Sequence, residues 1–177
     1  MSRKRLFSKI AQTYDYILQD DGTTSCGVIA IWNANIWKYG TIKFNSFDTL
    51  AKKCKIDEYE EGIFRWNMDL SSLGPKVGKV TYYDINKIKT ALDEKNAAII
   101  EYSFYNKDKE FSSHYVFVEP RIKGYYVRNY IENNRYCNKL FRTWDTMYHE
   151  MLYKNPTDKY GLTHPVGWIV EPNQPLS

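Results

Sequence analysis

Three runs decide the fold: Ala97-Ala98-Ile99-Ile100-Glu101-Tyr102-Ser103-Phe104, His114-Tyr115-Val116-Phe117-Val118 and Tyr125-Tyr126-Val127-Arg128-Asn129-Tyr130-Ile131. All three are rich in Ile, Val, Tyr and Phe, the side chains that suit a pleated, half-buried surface. They predict strands over 97–104, 114–118 and 125–131. Residues 121–124, Arg-Ile-Lys-Gly, supply the turn between the last two. An antiparallel hairpin closing at Ile122-Lys123 pairs Val116 with Asn129 and His114 with Ile131. Strand side chains alternate, so His114 and Asn129 then share a face as diagonal neighbours. A shift of one residue would separate them.

Working outward, the period changes from two to about 3.6. Upstream, Thr24 and Ser25 can cap a helix that begins at Cys26, with Val28, Ile29, Trp32, Ile36 and Tyr39 at helical spacing and Gly40 as its stop. A short helix is expected after Ser46, with Phe47, Leu50, Ala51 and Cys54 on one face. Another is expected near Asp84, burying Ile85, Ile88 and Leu92. Downstream, Thr143 can cap a helix over 144–153, and 166–171 can close the sheet. Helices come first and strands later, which predicts an α+β fold with a mainly antiparallel sheet. The 177 residues suit one domain with one core, and neither a repeat nor a low-complexity linker divides them.

Composition narrows the function. Hydrophobic residues make up 43% and charged residues 26%, ordinary for a globular protein, but 16 Tyr and 5 Trp give a large aromatic area. The net charge of +4 comes from Lys and Arg interleaved with Asp and Glu, so no nucleic-acid partner is expected. The three cysteines, Cys26, Cys54 and Cys137, form neither a disulfide framework nor a CxxC zinc pair. The basic start, MSRKRLFSKIAQTYDYI, lacks the apolar core of a signal peptide, and no segment has the length and apolarity of a membrane span. A cytoplasmic, reducing setting is expected. Abundant Lys, Asn, Ile and Tyr are compatible with an AT-rich bacterial or phage genome, so a virion or phage-infected cell is a second setting.

Cys26 opens its helix, where the partial positive charge of the N-terminus favours thiolate. Gly27 beside it leaves room for a substrate. Gln19 stands seven positions upstream, across the turn-forming run Asp20-Asp21-Gly22-Thr23-Thr24-Ser25. Its amide N–H, with the Cys26 backbone N–H, can form an oxyanion hole. His114 is the candidate base; His149 falls in the late helix and His164 in a Pro-flanked loop. Asn129 is the candidate for orienting His114. On its own, Cys26 reads first as a small buried apolar residue, and the alternative for Gln19 is a solvent-exposed loop residue. Residues 55–79 carry the acidic run Asp57-Glu58-Tyr59-Glu60-Glu61 with Phe64 and Trp66, and can wall a groove or merely connect elements. Gly27, Trp66 and Ser113 are candidate substrate contacts.

The segment Gln19…Ser25-Cys26-Gly27-Val28…Asn33-Ala34…Trp37-Lys38-Tyr39-Gly40 resembles the cysteine-helix motif of the bacteriocin leader-peptidase-like branch of papain-like peptidases. The later His114-Tyr-Val-Phe-Val…Gly124-Tyr-Tyr-Val-Arg-Asn129 is similar to that branch's His-Tyr-Val-Val-Val…Gly-Tyr-Tyr-Val-x-Asp. The likeness covers about 19–131. It implies a papain-like fold and a cysteine peptidase, with Cys26 as nucleophile, His114 as base and Gln19 beside the oxyanion, acting on a peptide or protein without metal or organic cofactor. Asn129 departs from the usual Asp, although papain itself uses Asn to orient its histidine. Two alternatives remain on the same residues: another Cys-His acyl-transfer enzyme, such as an amidase or transglutaminase-like protein, and an inactive papain-like domain that binds peptides or proteins.

Overall fold

The computed structural model describes residues 16–19, 26–40, 49, 50, 52, 70, 73, 78–80, 85–152 and 166–173. Helix α1 spans Cys26–Tyr39. It starts where the sequence predicts, and Gly40 ends it at φ +69, the left-handed conformation that glycine adopts freely. The proposed caps Thr24 and Ser25 lie outside the described residues. Ten consecutive residues, from Gly27 to Ile36, are buried. A helix enclosed on every side is a core element rather than an amphipathic cover.

Strand β1 (Gly78–Val80) and helix α2 (Ile85–Asp93) follow. Then come β2 (Ala97–Tyr105), β3 (Phe111–Arg121), β4 (Gly124–Glu132) and β5 (Arg135–Phe141). A short helix α3 (Trp144–Met147) runs into a wider π-helical turn over Tyr148–Leu152, and β6 (Val166–Val170) is the last element among the described residues. Thr143 caps α3 as expected, its side chain accepting from the Thr146 N–H. The late helix thus begins where predicted, but its second half widens instead of continuing as α. Of the short helix expected after Ser46, Thr49, Leu50 and Lys52 are helical; the rest, with Cys54, lies outside the described residues.

Among the described residues, six strands order as β1-β6-β2-β3-β4-β5, and every neighbouring pair is antiparallel. The fold is therefore α+β, as the sequence predicts. Alternation along β2 and β3 divides the core. Ala97, Ile99, Tyr115 and Phe117 pack with α1 on one face, while Ala98, Ile100, Val116 and Val118 pack with α2, α3 and the π-turn on the other.

The turn register is as predicted: Arg121 faces Gly124, Val118 faces Val127 and Phe117 faces Arg128. Gly124 has φ +118, and a Cβ there would collide with the Phe141 carbonyl oxygen, so a side chain is excluded. Beyond Phe117–Arg128 the β3–β4 ladder stops. The earlier half of β3 pairs with β2 alone, and Tyr130, Ile131 and Glu132 pair with β5 alone. The sheet forks there. The expected pairs Val116–Asn129 and His114–Ile131 do not form.

Candidate active site

The fork has a local cause. Between Val127 and Tyr130 the β4–β5 register shifts by one residue, a β-bulge. Asn129 sits in it at φ +62, a conformation that asparagine tolerates better than most residues. Val127 and Tyr130, three apart, both bury on the α2 side. Arg128 instead stacks on Tyr16, with its guanidinium 3.3 Å from the ring centre. The Asn129 amide also leaves the His114 face and turns to the segment 16–19. The sequence expectation that His114 and Asn129 share a face is thus corrected: the turn has the predicted length, and the bulge redirects the side chain.

Every polar group of Asn129 is used. Its N–H donates to Asn138 Oδ1 at 3.2 Å, which supplies the bulge with its missing partner. Its Oδ1 accepts from the Gln19 N–H at 2.8 Å, and its Nδ2 donates to Gln19 Oε1 at 3.3 Å. Its backbone carbonyl receives His114 Nε2 at 2.5 Å. A carbonyl only accepts, so Nε2 carries the proton and Nδ1 keeps its lone pair. Asn129 therefore meets His114 through its main-chain carbonyl, where the sequence reading expects the amide.

Gln19 is buried, so the exposed-loop alternative does not hold. The segment carrying it is fastened twice. Asn33, fully buried in α1, accepts from the Ile17 N–H at 2.9 Å and donates to the Ile17 carbonyl at 3.1 Å. Asn129 holds Gln19 itself. With its carbonyl end fixed on Asn129, the Gln19 amide presents its NH2 end away from that residue.

Cys26 is half-buried, and its sulfur receives the backbone N–H groups of Tyr115 and Gly27 as well as its own. Three amides aimed at one sulfur favour a thiolate. Burial outweighs them, with a smaller contribution from the Glu101 carboxylate, and pushes the thiol up to about 11. Glu101 faces Tyr115 across the β2–β3 ladder, on the α1 side. His114 is buried against Tyr102, edge-on with ring centres 5.8 Å apart, and Tyr136, at 5.5 Å. Burial lowers its imidazole to about 4, against a smaller opposing effect of the Asn129 carbonyl. At neutral pH the resting groups are thus a thiol and a neutral imidazole, not the thiolate that the helix N-terminus favours. No hydrogen bond or ion pair joins them among the described residues. The sulfur binds the N–H of Tyr115, the next residue after His114.

The depressed histidine has a consequence for stability. The unfolded chain binds a proton near pH 6.5 that the folded chain refuses until about 4. Folding stability is therefore expected to fall by about 3 kcal/mol as pH drops through that window, with no such loss above it. Urea midpoints of the parent and His114→Gln, compared between neutral pH and the lower end of the window, isolate this contribution.

Of the other candidates, Gly27 is buried behind Cys26, and Ser113 is exposed on β3 opposite Ser103. His149 is exposed in the π-turn, against Tyr148. Trp66, His164 and the acidic run at 57–61 lie outside the described residues. Asn33 stands in the cysteine-helix motif without an assigned role, and Asn138 and the Tyr115 N–H were not singled out by sequence pattern; all three belong to the site. Among the described residues, no helix is long and apolar enough to cross a membrane. Comparison of the chain with protein-family models, curated proteins and solved structures returns no match.

Proposed function

We propose that the protein is a papain-like cysteine hydrolase that cleaves a peptide or isopeptide-type amide, with Cys26 as nucleophile. The observation that carries this reading is the gathering of Gln19, His114 and Asn129 at the fork, with the Cys26 sulfur on the adjoining Tyr115 N–H. These are the four residues that the sequence pattern nominates, and they come from four separate parts of the chain.

The chemistry starts from the neutral pair. Cys26 sulfur attacks the substrate carbonyl carbon, and the thiol proton passes to His114 Nδ1. Since the two groups are not hydrogen-bonded at rest, substrate entry at the fork must bring them together. The oxyanion is met by the Cys26 backbone N–H and the Gln19 NH2. His114 then protonates the leaving amine as the C–N bond breaks. Water, deprotonated by His114, attacks the thioester; the C–S bond breaks, the sulfur takes that proton from His114, and the acid is released. Gln19→Ala is expected to slow acylation by roughly tenfold to a thousandfold; an unchanged rate would remove Gln19 from the chemistry.

A second reading has its own support. The thiol pushed up to about 11 and the missing Cys26–His114 bond suit a domain that binds a peptide without cutting it. A peptide carrying a carbonyl electrophile separates the two. Time-dependent covalent capture, lost in Cys26→Ser, supports the hydrolase; reversible binding equal in both proteins supports the binding domain.

A further inference from the structure

We infer that Asn129 is a positioning residue for Gln19: its amide decides which end of the Gln19 side chain faces the reacting carbonyl. This rests on the hydrolase reading above. An amide has one end that donates and one that accepts, and only the donating end stabilises an oxyanion. Nothing intrinsic to glutamine selects between two orientations related by a half-turn. Here the selection is made by Asn129 Nδ2, which donates to Gln19 Oε1 at 3.3 Å, while Asn129 Oδ1 holds the Gln19 backbone N–H at 2.8 Å. The two bonds need one acceptor and one donor on the same side chain, which asparagine has and aspartate lacks. Aspartate at 129 can still take the Gln19 N–H, but it repels Oε1. The Gln19 amide then turns to give its NH2 to the carboxylate and presents its oxygen where the donor is needed.

Asn129 also serves His114, through its backbone carbonyl. The two duties separate by substitution. Asn129→Gly keeps the carbonyl and tolerates φ +62, but removes the clamp. Asn129→Asp keeps the size and the bulge and reverses the clamp.

The experiment compares two reactions of Cys26 in the full chain. Acetylation by p-nitrophenyl acetate forms S–C(acyl), expels nitrophenolate and passes through an oxyanion. Alkylation by iodoacetamide forms S–CH2, expels iodide and passes through none. The ratio of the two rates reports oxyanion stabilisation, free of changes in thiol ionisation. Asn129→Gly is expected to lower the ratio by roughly the factor seen for Gln19→Ala, about tenfold or more. Asn129→Asp is expected to lower it at least as far. In the Gln19→Ala background, Asn129→Gly is expected to cost nothing further, because a residue acting through Gln19 has no effect once Gln19 is gone. Losses that multiply in the double variant, or a ratio unmoved in either single variant while Gln19→Ala lowers it, would overturn the inference. If Gln19→Ala itself leaves the ratio unchanged, the oxyanion role of Gln19 fails first, and the inference falls with it.

Discussion

Cys26→Ala is expected to abolish peptide cleavage while leaving the fold intact. A proteome-derived peptide library incubated with the parent protein should acquire new termini; with the variant it should acquire none above background, a loss of at least about a thousandfold for removal of a nucleophile. The structural cost should be small. Cys26 sits at the first position of α1, half-buried, where alanine fits the helix well. The sulfur's three amide donors include two at the helix start, which alanine leaves unpartnered much as other helices do. Cleavage that persists in Cys26→Ala would assign the chemistry elsewhere. Loss of cleavage together with a large fall in thermal midpoint would leave the nucleophile unproven, and Cys26→Ser, isosteric with the parent, then decides.

The second large effect is on stability. Glu119 and Arg128 form a buried pair on the α1 face: Arg128 Nε lies 3.0 Å from Glu119 Oε2, and a second guanidinium nitrogen reaches Oε1 at 3.3 Å. Arg121 also pairs with Glu119, but its side chain is half-exposed. Arg128 packs on the rings of Tyr16 and Tyr126, and only about a tenth of its side chain is exposed. Glu119→Ala strands that guanidinium without a counter-charge, at an expected cost of about 3–5 kcal/mol. Replacing both partners by apolar residues, Glu119→Leu with Arg128→Met, should cost less than the single change. Urea unfolding of the three proteins tests this. A single-variant loss under about 1 kcal/mol would mean that solvent screens Arg128 as it does an exposed pair. The segment 16–19 rests on this cluster through Tyr16, so the pair also supports the Gln19 site.

The pattern of residues carried the fold where local chemistry and packing agree. Cys26 opens a helix, Gly40 closes it and Thr143 caps another, because each decision is made within one turn of chain. The β3–β4 register followed from the Ile122-Lys123 turn. β5 escaped notice because Arg-Tyr-Cys-Asn-Lys-Leu-Phe has no β-branched residue and lies half-exposed. A signal was present: Asn133 and Asn134 both take positive φ, 51 and 61, the two-residue hairpin turn for which asparagine is suited. The bulge at Asn129 was less legible. It depends on Asn138 of the next strand receiving the orphaned N–H, a contact that no local period encodes. The candidate site divides the same way. Gln19, Cys26, His114 and Asn129, singled out in the sequence for a chemical role, all lie beside the fork, which the sequence pattern did not announce. The state of the sulfur was not legible, because thiolate character was inferred from the helix end while burial, a tertiary property, overrides it. Asn33 stood in the cysteine-helix motif, but its bonds to the Ile17 backbone are a tertiary contact that no local period encodes.

The central claim is that Cys26 is the residue that accepts an acyl group and gives it up to water. Peptide mapping of the parent protein, treated at neutral pH with a limiting amount of p-nitrophenyl acetate and sampled over time, tests it directly. The account predicts that the acetyl group appears first on Cys26, despite a thiol held up to about 11, and then disappears by hydrolysis in an active parent but persists longer in Gln19→Ala. Acetylation of Cys54 or Cys137 ahead of Cys26, or an acetyl group on Cys26 that water never removes, would contradict it.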